Sequence, residues 1–148
     1  MAEFRRLLAD DVREFSDLIQ LFSRVFETGE RTNISTGKRN TLLKNPAFIC
    51  FVALDNNVVI GGLTAYELPS YSSDQSELYI YDIAVDSNRQ RMGIGNQLLQ
   101  ALTEHCRRNN ISTMFVEAHE EDKHAVDLYH RAGGQAEKVV HFNFQVQQ

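Results

Sequence analysis

Apolar and polar positions along the chain repeat with two periods, and the switches between them divide it into elements. Residues 4–8 (Phe-Arg-Arg-Leu-Leu) predict a short first strand. Val12, Phe15, Ile19, Phe22 and Phe26 then recur at helical spacing behind Asp10 or Asp11, either of which suits an N-cap, and Gly29 is expected to end that helix. Residues 28–37 are polar and turn-rich and predict a loop, followed by a short helix over 38–44 that Asn45-Pro46 stops. Residues 48–54 and 58–66 predict a hairpin around Asp55-Asn56-Asn57, and a second polar loop over 69–75 precedes a strand at 77–85. A helix over 95–109 places Leu98, Leu99, Leu102 and Cys106 on one stripe. A strand at 113–118, a helix at 123–132 ended by Gly133-Gly134, and a last strand at 139–146 that closes the sheet complete the series.

The order β-α-α-β-β-β-α-β-α-β predicts a mixed sheet with helices on both faces, an α/β or α+β three-layer domain. At 148 residues, with no repeat or low-complexity tract, residues 1–148 read as one domain. A hydrophobic share of 43% and a charged share of 24% are ordinary for a soluble globular chain. The net charge of −5 excludes a basic nucleic-acid-binding face, and the apolar runs fall short of a membrane span. Cys50 and Cys106, far apart in sequence, read as reduced thiols. With the polar start Met1-Ala-Glu-Phe-Arg-Arg, which lacks a signal-peptide core, they predict a cytoplasmic protein.

The densest chemical signal is the passage from strand to helix. Tyr79-Ile-Tyr-Asp-Ile-Ala-Val85 runs into the basic loop Asp86-Ser-Asn-Arg-Gln-Arg-Met-Gly-Ile-Gly95, which opens into the helix beginning near Asn96. Backbone N–H groups at a helix start, with side chains removed by glycine, form an anion site. A P-loop needs a lysine that this loop lacks, and a dinucleotide fingerprint fails because Leu98 stands at its third glycine. What remains, Gln90-Arg-Met-Gly93-Ile-Gly95, resembles the pyrophosphate loop of the GCN5-related N-acetyltransferases, the GNAT superfamily. The bland reading is a solvated basic turn before a glycine helix start.

The resemblance implies a GNAT fold, an α+β mixed sheet with splayed strands at the cofactor site, and acetyl-CoA as co-substrate. It implies that Arg91, Met92, Gly93, Ile94, Gly95 and Asn96 hold the pyrophosphate and that backbone near Ile83, Ala84 and Val85 binds the acetyl carbonyl. Ala125-Val-Asp-Leu-Tyr-His-Arg-Ala-Gly133 resembles the family's second signature, in which Tyr129 points at the thioester sulfur as general acid. Taken alone, Tyr129 is an aromatic on the apolar face of a helix.

Asp82 is the odd carboxylate in an apolar strand. Strict alternation puts it on one face with Leu78, Ile80 and Ala84, which is costly unless it is paired, exposed or at a bulge. As a catalytic group it would strip the proton from an incoming ammonium, with Glu77 on the same strand as second candidate base. Glu117, Glu120, Glu121 and Asp122 follow the next strand and read either as a solvated helix start or as an acidic wall for a polyamine. His119 and His124 lie among them, but no third ligand completes a metal site, so no metal is expected.

A wider likeness, from about residue 4 to 144, includes Phe26-Glu-Thr-Gly-Glu30, Ala65-Tyr-Glu-Leu-Pro69 and Val140-His-Phe-Asn-Phe144, and resembles the type I aminoglycoside 3-N-acetyltransferases. Residues 117–124 depart from that group's aspartate-rich, proline-containing stretch. The resemblance implies acetylation of the 3-amino group of an aminoglycoside such as gentamicin by direct transfer, hence antibiotic resistance. Glu27, Glu30, Asp82, Glu120, Glu121 and Asp122 would surround the polycationic amine. Other polyamines, protein or peptide amines, and a non-catalytic acyl-CoA-binding module stay open as alternatives, and so does a homodimer.

Overall fold

The computed structural model describes residues 1–27 and 35–148. Five strands form one sheet in the order β1-β2-β3-β4-β5: β1 Glu3–Arg6, β2 Phe48–Asp55, β3 Val58–Leu68, β4 Ser76–Val85 and β5 Ile111–Val116. All neighbours pair antiparallel except β4 and β5, which run parallel. The parallel pair requires a crossover, supplied by helix α3, Ile94–Arg108.

β2 lies inside the sheet and is buried on both faces, so its side chains alternate between two cores. Ile49, Phe51 and Ala53 point to one side, where Leu98, Leu99 and Leu102 of α3 cover them. Leu128 and Tyr129 of helix α4, Lys123–Arg131, pack at the margin of that core. Phe48, Cys50, Val52 and Leu54 point to the other side, against Phe15, Leu18 and Phe22 of α1, Val12–Phe26, and Leu43 of α2, Thr36–Lys44. The layers are those of the GNAT fold, with helices on both faces.

Local chemistry accounts for several boundaries. Asn56 and Asn57 both adopt positive φ (49° and 66°), the conformation a tight primed hairpin turn needs between β2 and β3. Ser35 caps α2 by accepting a hydrogen bond from the Lys38 N–H at 3.2 Å, so this helix begins before the expected residue 38 and takes Thr36 and Gly37 from the expected loop. The rest of that loop, 28–34, lies outside the described residues. α1 ends at Phe26, before Gly29, with Glu27 in the left-handed conformation (φ 56°) and its N–H bonded to the Ser23 carbonyl. Asp11 is the N-cap residue of α1, but its carboxylate does not cap. It accepts from the Leu8 N–H at 2.7 Å and pairs with Arg5 at 3.1 Å, tying β1 to the helix.

The expected last strand is the one clear correction. Residues 134–148 form no helix or strand, and β5 is left as a sheet edge. The alternation that predicted a strand is present, yet Val140, Phe142, Phe144 and Val146 stand 74–84% exposed. Alternation reports a side chain's preference for an interface. It does not report whether that interface lies within the same chain.

Gly62 is where α1 approaches the sheet most closely. A Cβ there would lie 2.5 Å from Leu18 Cδ1 and 2.8 Å from the Phe51 carbonyl oxygen. Gly62→Ala is therefore expected to destabilise the fold by about 1–3 kcal/mol through overpacking, read as a lower urea midpoint at unchanged slope. An unchanged midpoint would contradict the tight fit of α1 on β3.

Candidate active site

β4 and β5 pair only from Ser76↔Ile111 to Ile80↔Val116, and β4 continues alone to Val85. From Tyr81 onward that edge of β4 has no strand partner, and apart from the Val85 carbonyl, which accepts from Gln90, its outward backbone groups are left for a ligand. A register shift occurs at the same place on the other side of the strand. Thr64 pairs with Asp82 and Ala65 with Ile80, which leaves Tyr81 as an extra, bulged residue.

The bulge changes the face on which the next residues lie. Leu78 and Ile80 pack in the α3 core, whereas Ala84 packs in the α1 core. Strict alternation would have put Asp82 with all three. The register sets it instead opposite Thr64, on the α1 side with Ala84, away from Leu78 and Ile80. Ile83 and Val85 turn back to the α3 side. Among the described residues no hydrogen bond or ion pair holds the Asp82 carboxylate, and burial raises its pKa. An acid poised above the ordinary carboxylate range is a better proton acceptor.

Aromatic rings flank it. Tyr66 meets Tyr81 edge-on at 5.8 Å, Tyr79 meets Tyr81 at 6.0 Å, and Tyr79 stacks on Phe115 at 4.9 Å. The Tyr79 hydroxyl donates to Glu117 Oε1 at 2.6 Å, and His141 Nδ1 lies 3.0 Å from Glu117 Oε2. Holding the phenol to a carboxylate pushes the Tyr79 pKa up to about 12. Hydrogen bonds to Asn143 and Glu117 raise that of His141. Of these residues the sequence singled out only Glu117, as part of the acidic run after the strand. The signal available was Tyr79 and Tyr81, three and one positions before Asp82, with Tyr66 on the neighbouring strand.

Tyr129 lies on the other side of the gap. It lines a cavity of about 240 Å³ together with Ile80, Asn96, Leu99 and Val116. Burial, then the charges of Asp122 and Asp82, push its pKa up to about 12, so its phenol stays protonated near neutral pH. Asp82 thus stands on the α1 side of the sheet and Tyr129 on the α3–α4 side.

The loop from Asp86 to Gly93 leads into α3. Asp86 Oδ1 accepts from the Asn88 N–H at 3.0 Å, and Gln90 donates to the Val85 carbonyl at 3.2 Å. Gly93 is the N-cap residue at φ 81°, with nothing within 4 Å of where a Cβ would stand. No side chain caps α3, so its first N–H groups are left for an anion. Gly95 has a packing reason as well, because a Cβ there would lie 3.3 Å from Leu128 of α4. Arg91 and Met92 are exposed and Ile94 is buried in the α3 core. Arg89 is committed elsewhere, pairing with Asp55 at 2.7 Å, so the cationic side chain beside the glycines is Arg91. An uncapped helix start, space at Gly93 and a nearby guanidinium fit a pyrophosphate.

The other expected site residues divide. Glu27 ends α1, whose last turn reaches Asp86 just past β4 through Arg24 at 3.7 Å, so Glu27 belongs to the same end of the sheet as Asp82. Asp122 caps α4, accepting from the Ala125 N–H at 3.2 Å, while Glu120 and Glu121 are exposed in the turn before it. Glu77 stands near the start of β4, paired with Leu68, and is not brought to Asp82. At about 3.3 Å per residue the two are roughly 15 Å apart along the strand. Glu30 lies outside the described residues. Among the described residues no cluster of three or more metal-ligating side chains forms.

The raised Asp82 pKa has a sign that can be tested. A carboxyl whose pKa is higher folded than unfolded favours the fold below the unfolded value, about 3.9, and that contribution is lost as pH rises through the folded value. Asp82→Asn is accordingly expected to raise Tm at pH 7 and to lose that advantage near pH 3. A variant less stable than wild type at pH 7 would contradict an unpaired buried carboxylate.

Comparison with known proteins agrees with this geometry. The acetyltransferase (GNAT) family model matches residues 13–134. An aminoglycoside acetyltransferase, meta-AAC0020, from an uncultured soil metagenomic sample and solved with sisomicin, is 36% identical over 99% of this chain and 97% of its own, with a TM-score of 0.96. A second, HMB0005, also from an uncultured soil metagenomic sample, is 31% identical over 99% of both chains, with a TM-score of 0.95. A ribosomal-protein-alanine N-acetyltransferase from Brucella melitensis shares the fold at 16% identity over 98% of this chain and 99% of its own, with a TM-score of 0.78. No curated protein matches the sequence significantly. The chain belongs to the GNAT acetyltransferase family, whose members use acetyl-CoA.

Proposed function

We propose that the protein is an aminoglycoside N-acetyltransferase that transfers the acetyl group of acetyl-CoA directly to the 3-amino group of a 2-deoxystreptamine ring. The observation that carries this reading is the gap between β4 and β5, with Asp82 on its α1 side and Tyr129 on its α3–α4 side. The 36% identity to an aminoglycoside acetyltransferase solved with sisomicin supports the substrate class.

In this reading the amine enters from the α1 side, over the tyrosine rings, and the thioester from the α3–α4 side. Acetyl-CoA supplies an activated acyl group on a thiol leaving group. The α3 N–H groups at 94–96 and Arg91 hold the pyrophosphate, and the unpaired β4 backbone near Ile83, Ala84 and Val85 orients the carbonyl. Asp82 accepts one ammonium proton, directly or through water, because only the free amine has a lone pair for attack on the carbonyl carbon. As the C–S bond breaks, the Tyr129 hydroxyl donates its proton to the departing sulfur, and the proton that the new amide nitrogen sheds returns to the Tyr129 phenolate, directly or through water.

The multiply protonated substrate meets carboxylates and aromatic faces on the α1 side. Asp82 and Glu27 stand at one end and Glu117 beside Tyr79 at the other. Tyr66, Tyr79 and Tyr81 offer faces for ammonium groups, each such contact worth about 0.5–2 kcal/mol. Glu120, Glu121 and Asp122 add negative charge before α4, and Glu30 is assigned to the same role from sequence. Glu77 is the weaker candidate base because of its distance from the gap.

The test is a thiol-release assay across sisomicin, gentamicin, spermidine and peptide amines, with the product position read by NMR. One acetyl group on the 3-amino nitrogen is expected. Acetylation at another amine, or a clear preference for spermidine or a peptide, overturns the substrate assignment.

Tyr129→Phe tests the chemistry. It is expected to lower kcat about 100-fold or more at unchanged fold, with part of the loss recovered by a thioester whose thiol is a better leaving group. A variant as fast as wild type, with transfer rate-limiting, would reduce Tyr129 to a packing aromatic.

A further inference from the structure

The loop that leads into α3 holds one residue in a conformation it does not favour. Arg91 adopts φ 64°, a left-handed backbone that residues with side chains rarely take, two positions before Gly93 at φ 81°. A glycine holds such a turn unaided. An arginine keeps it only where the chain on both sides is fixed.

α3 fixes the C-terminal side. The Gln97 N–H donates to the Gly93 carbonyl at 3.0 Å, Ile94 is buried in the α3 core, and Leu128 of α4 stands close to Gly95. The N-terminal side is fixed in steps. Ala53 pairs with Gly61 and Leu54 with Val59, so Ile60 is a bulged residue, and its carbonyl accepts from the Asp86 N–H at 2.8 Å. The Arg89 N–H donates to the Asp86 carbonyl at 2.8 Å, and the Gln90 amide donates to the Val85 carbonyl at 3.2 Å. The step nearest Arg91 that leaves the loop and β4 is the Arg89 side chain, whose guanidinium donates to Asp55 Oδ2 at 2.7 Å. Asp55 ends β2, 34 positions before Arg89 and beside the Asn56-Asn57 turn. Hydrogen bonding to Arg89 holds the Asp55 carboxyl below the ordinary carboxylate range, so the pair is ionised at neutral pH.

We propose that Asp55 is a positioning residue for acetyl-CoA, acting through Arg89. With Arg89 held, the loop keeps Arg91 in its left-handed turn and presents the Arg91 guanidinium together with the first α3 N–H groups to the pyrophosphate. With Arg89 released, Arg91 relaxes toward ordinary backbone conformations, and the cofactor must reorder the loop each time it binds. Arg89 then serves the anion site as a tether, while Arg91 supplies the charge. This role rests on the α3 start being the acetyl-CoA site and adds to it a residue from a different hairpin.

Calorimetric titration with acetyl-CoA tests it. Asp55→Ala, Arg89→Ala and the double variant are each expected to bind about 10-fold more weakly than wild type, the double no worse than either single. The ratio to wild type should persist at about 1 M salt, where the field of either charge on the phosphates is screened within about 3 Å. Tm, kcat at saturating acetyl-CoA and KM for the amine should stay unchanged, and amide shifts of the ligand-free Asp55→Ala protein should move at residues 89–93. Tighter binding by Asp55→Ala, losses that add in the double variant, or losses that vanish at high salt would mean that the two charges act on the phosphates directly, and would overturn the proposal. Gly93→Val, which forces a branched side chain into φ 81°, separates this role from the site itself. If Gly93→Val loses binding while Asp55→Ala binds as wild type does, the positioning role fails and the site stands. If both bind as wild type does, the α3 start is not the site and the positioning role falls with it.

Discussion

The structure turns on one costly placement, a carboxylate half-buried with no counter-charge among the described residues where β4 outruns its parallel neighbour. Pairing with β5 stops at Ile80, and the bulge at Tyr81 rotates the strand at the same point. Without the extra residue, Asp82 would share a face with Leu78 and Ile80, which are 0% and 3% exposed in the α3 core. A charge there would cost several kcal/mol. With it, Asp82 reaches the α1 side beside Tyr66 and Tyr81, and the strand still returns Ile83 and Val85 to the α3 core. The strand gives up local stability at this point, and the apolar layers on both faces of β2 and β3 offset that loss.

The rest of the candidate site follows from this break. β4 is unpaired on the β5 side beyond Ile80, the residue at which it meets the cavity that Tyr129 lines, and the loop after Val85 turns directly into an uncapped helix. The α3 start carries N–H groups and Arg91, and Asn96 near that start lines the same cavity as Ile80 and Tyr129. Toward the substrate the charge reverses, to Asp82, Glu27 and Glu117.

Much of this was legible in the sequence because the signals are local. The glycines at 93 and 95 after an apolar strand, the stripe Leu98, Leu99, Leu102, and the Asn56-Asn57 turn each need only their immediate neighbours to act. What escaped depends on partners distant in sequence. The bulge is a relation between Tyr81 and β3, so alternation within β4 misplaced Asp82 relative to Leu78 and Ile80. The commitment of Arg89 to Asp55, and the Tyr79–Glu117–His141 chain, join residues more than twenty positions apart. Glu27 ends α1 in a left-handed conformation where a glycine two residues later was the natural expectation. The tail reads as a strand from its own residues, yet it pairs with no strand among the described residues.

The central claim is that the α3 start and the unpaired end of β4 form one ligand track. Backbone amide shifts followed as acetyl-CoA is added test it most directly. The account predicts the largest changes at residues 91–96 and 83–85, with smaller ones around Tyr129 and little at β1 or at the β2–β3 turn. Saturable binding whose largest shifts lie outside these two segments would contradict it.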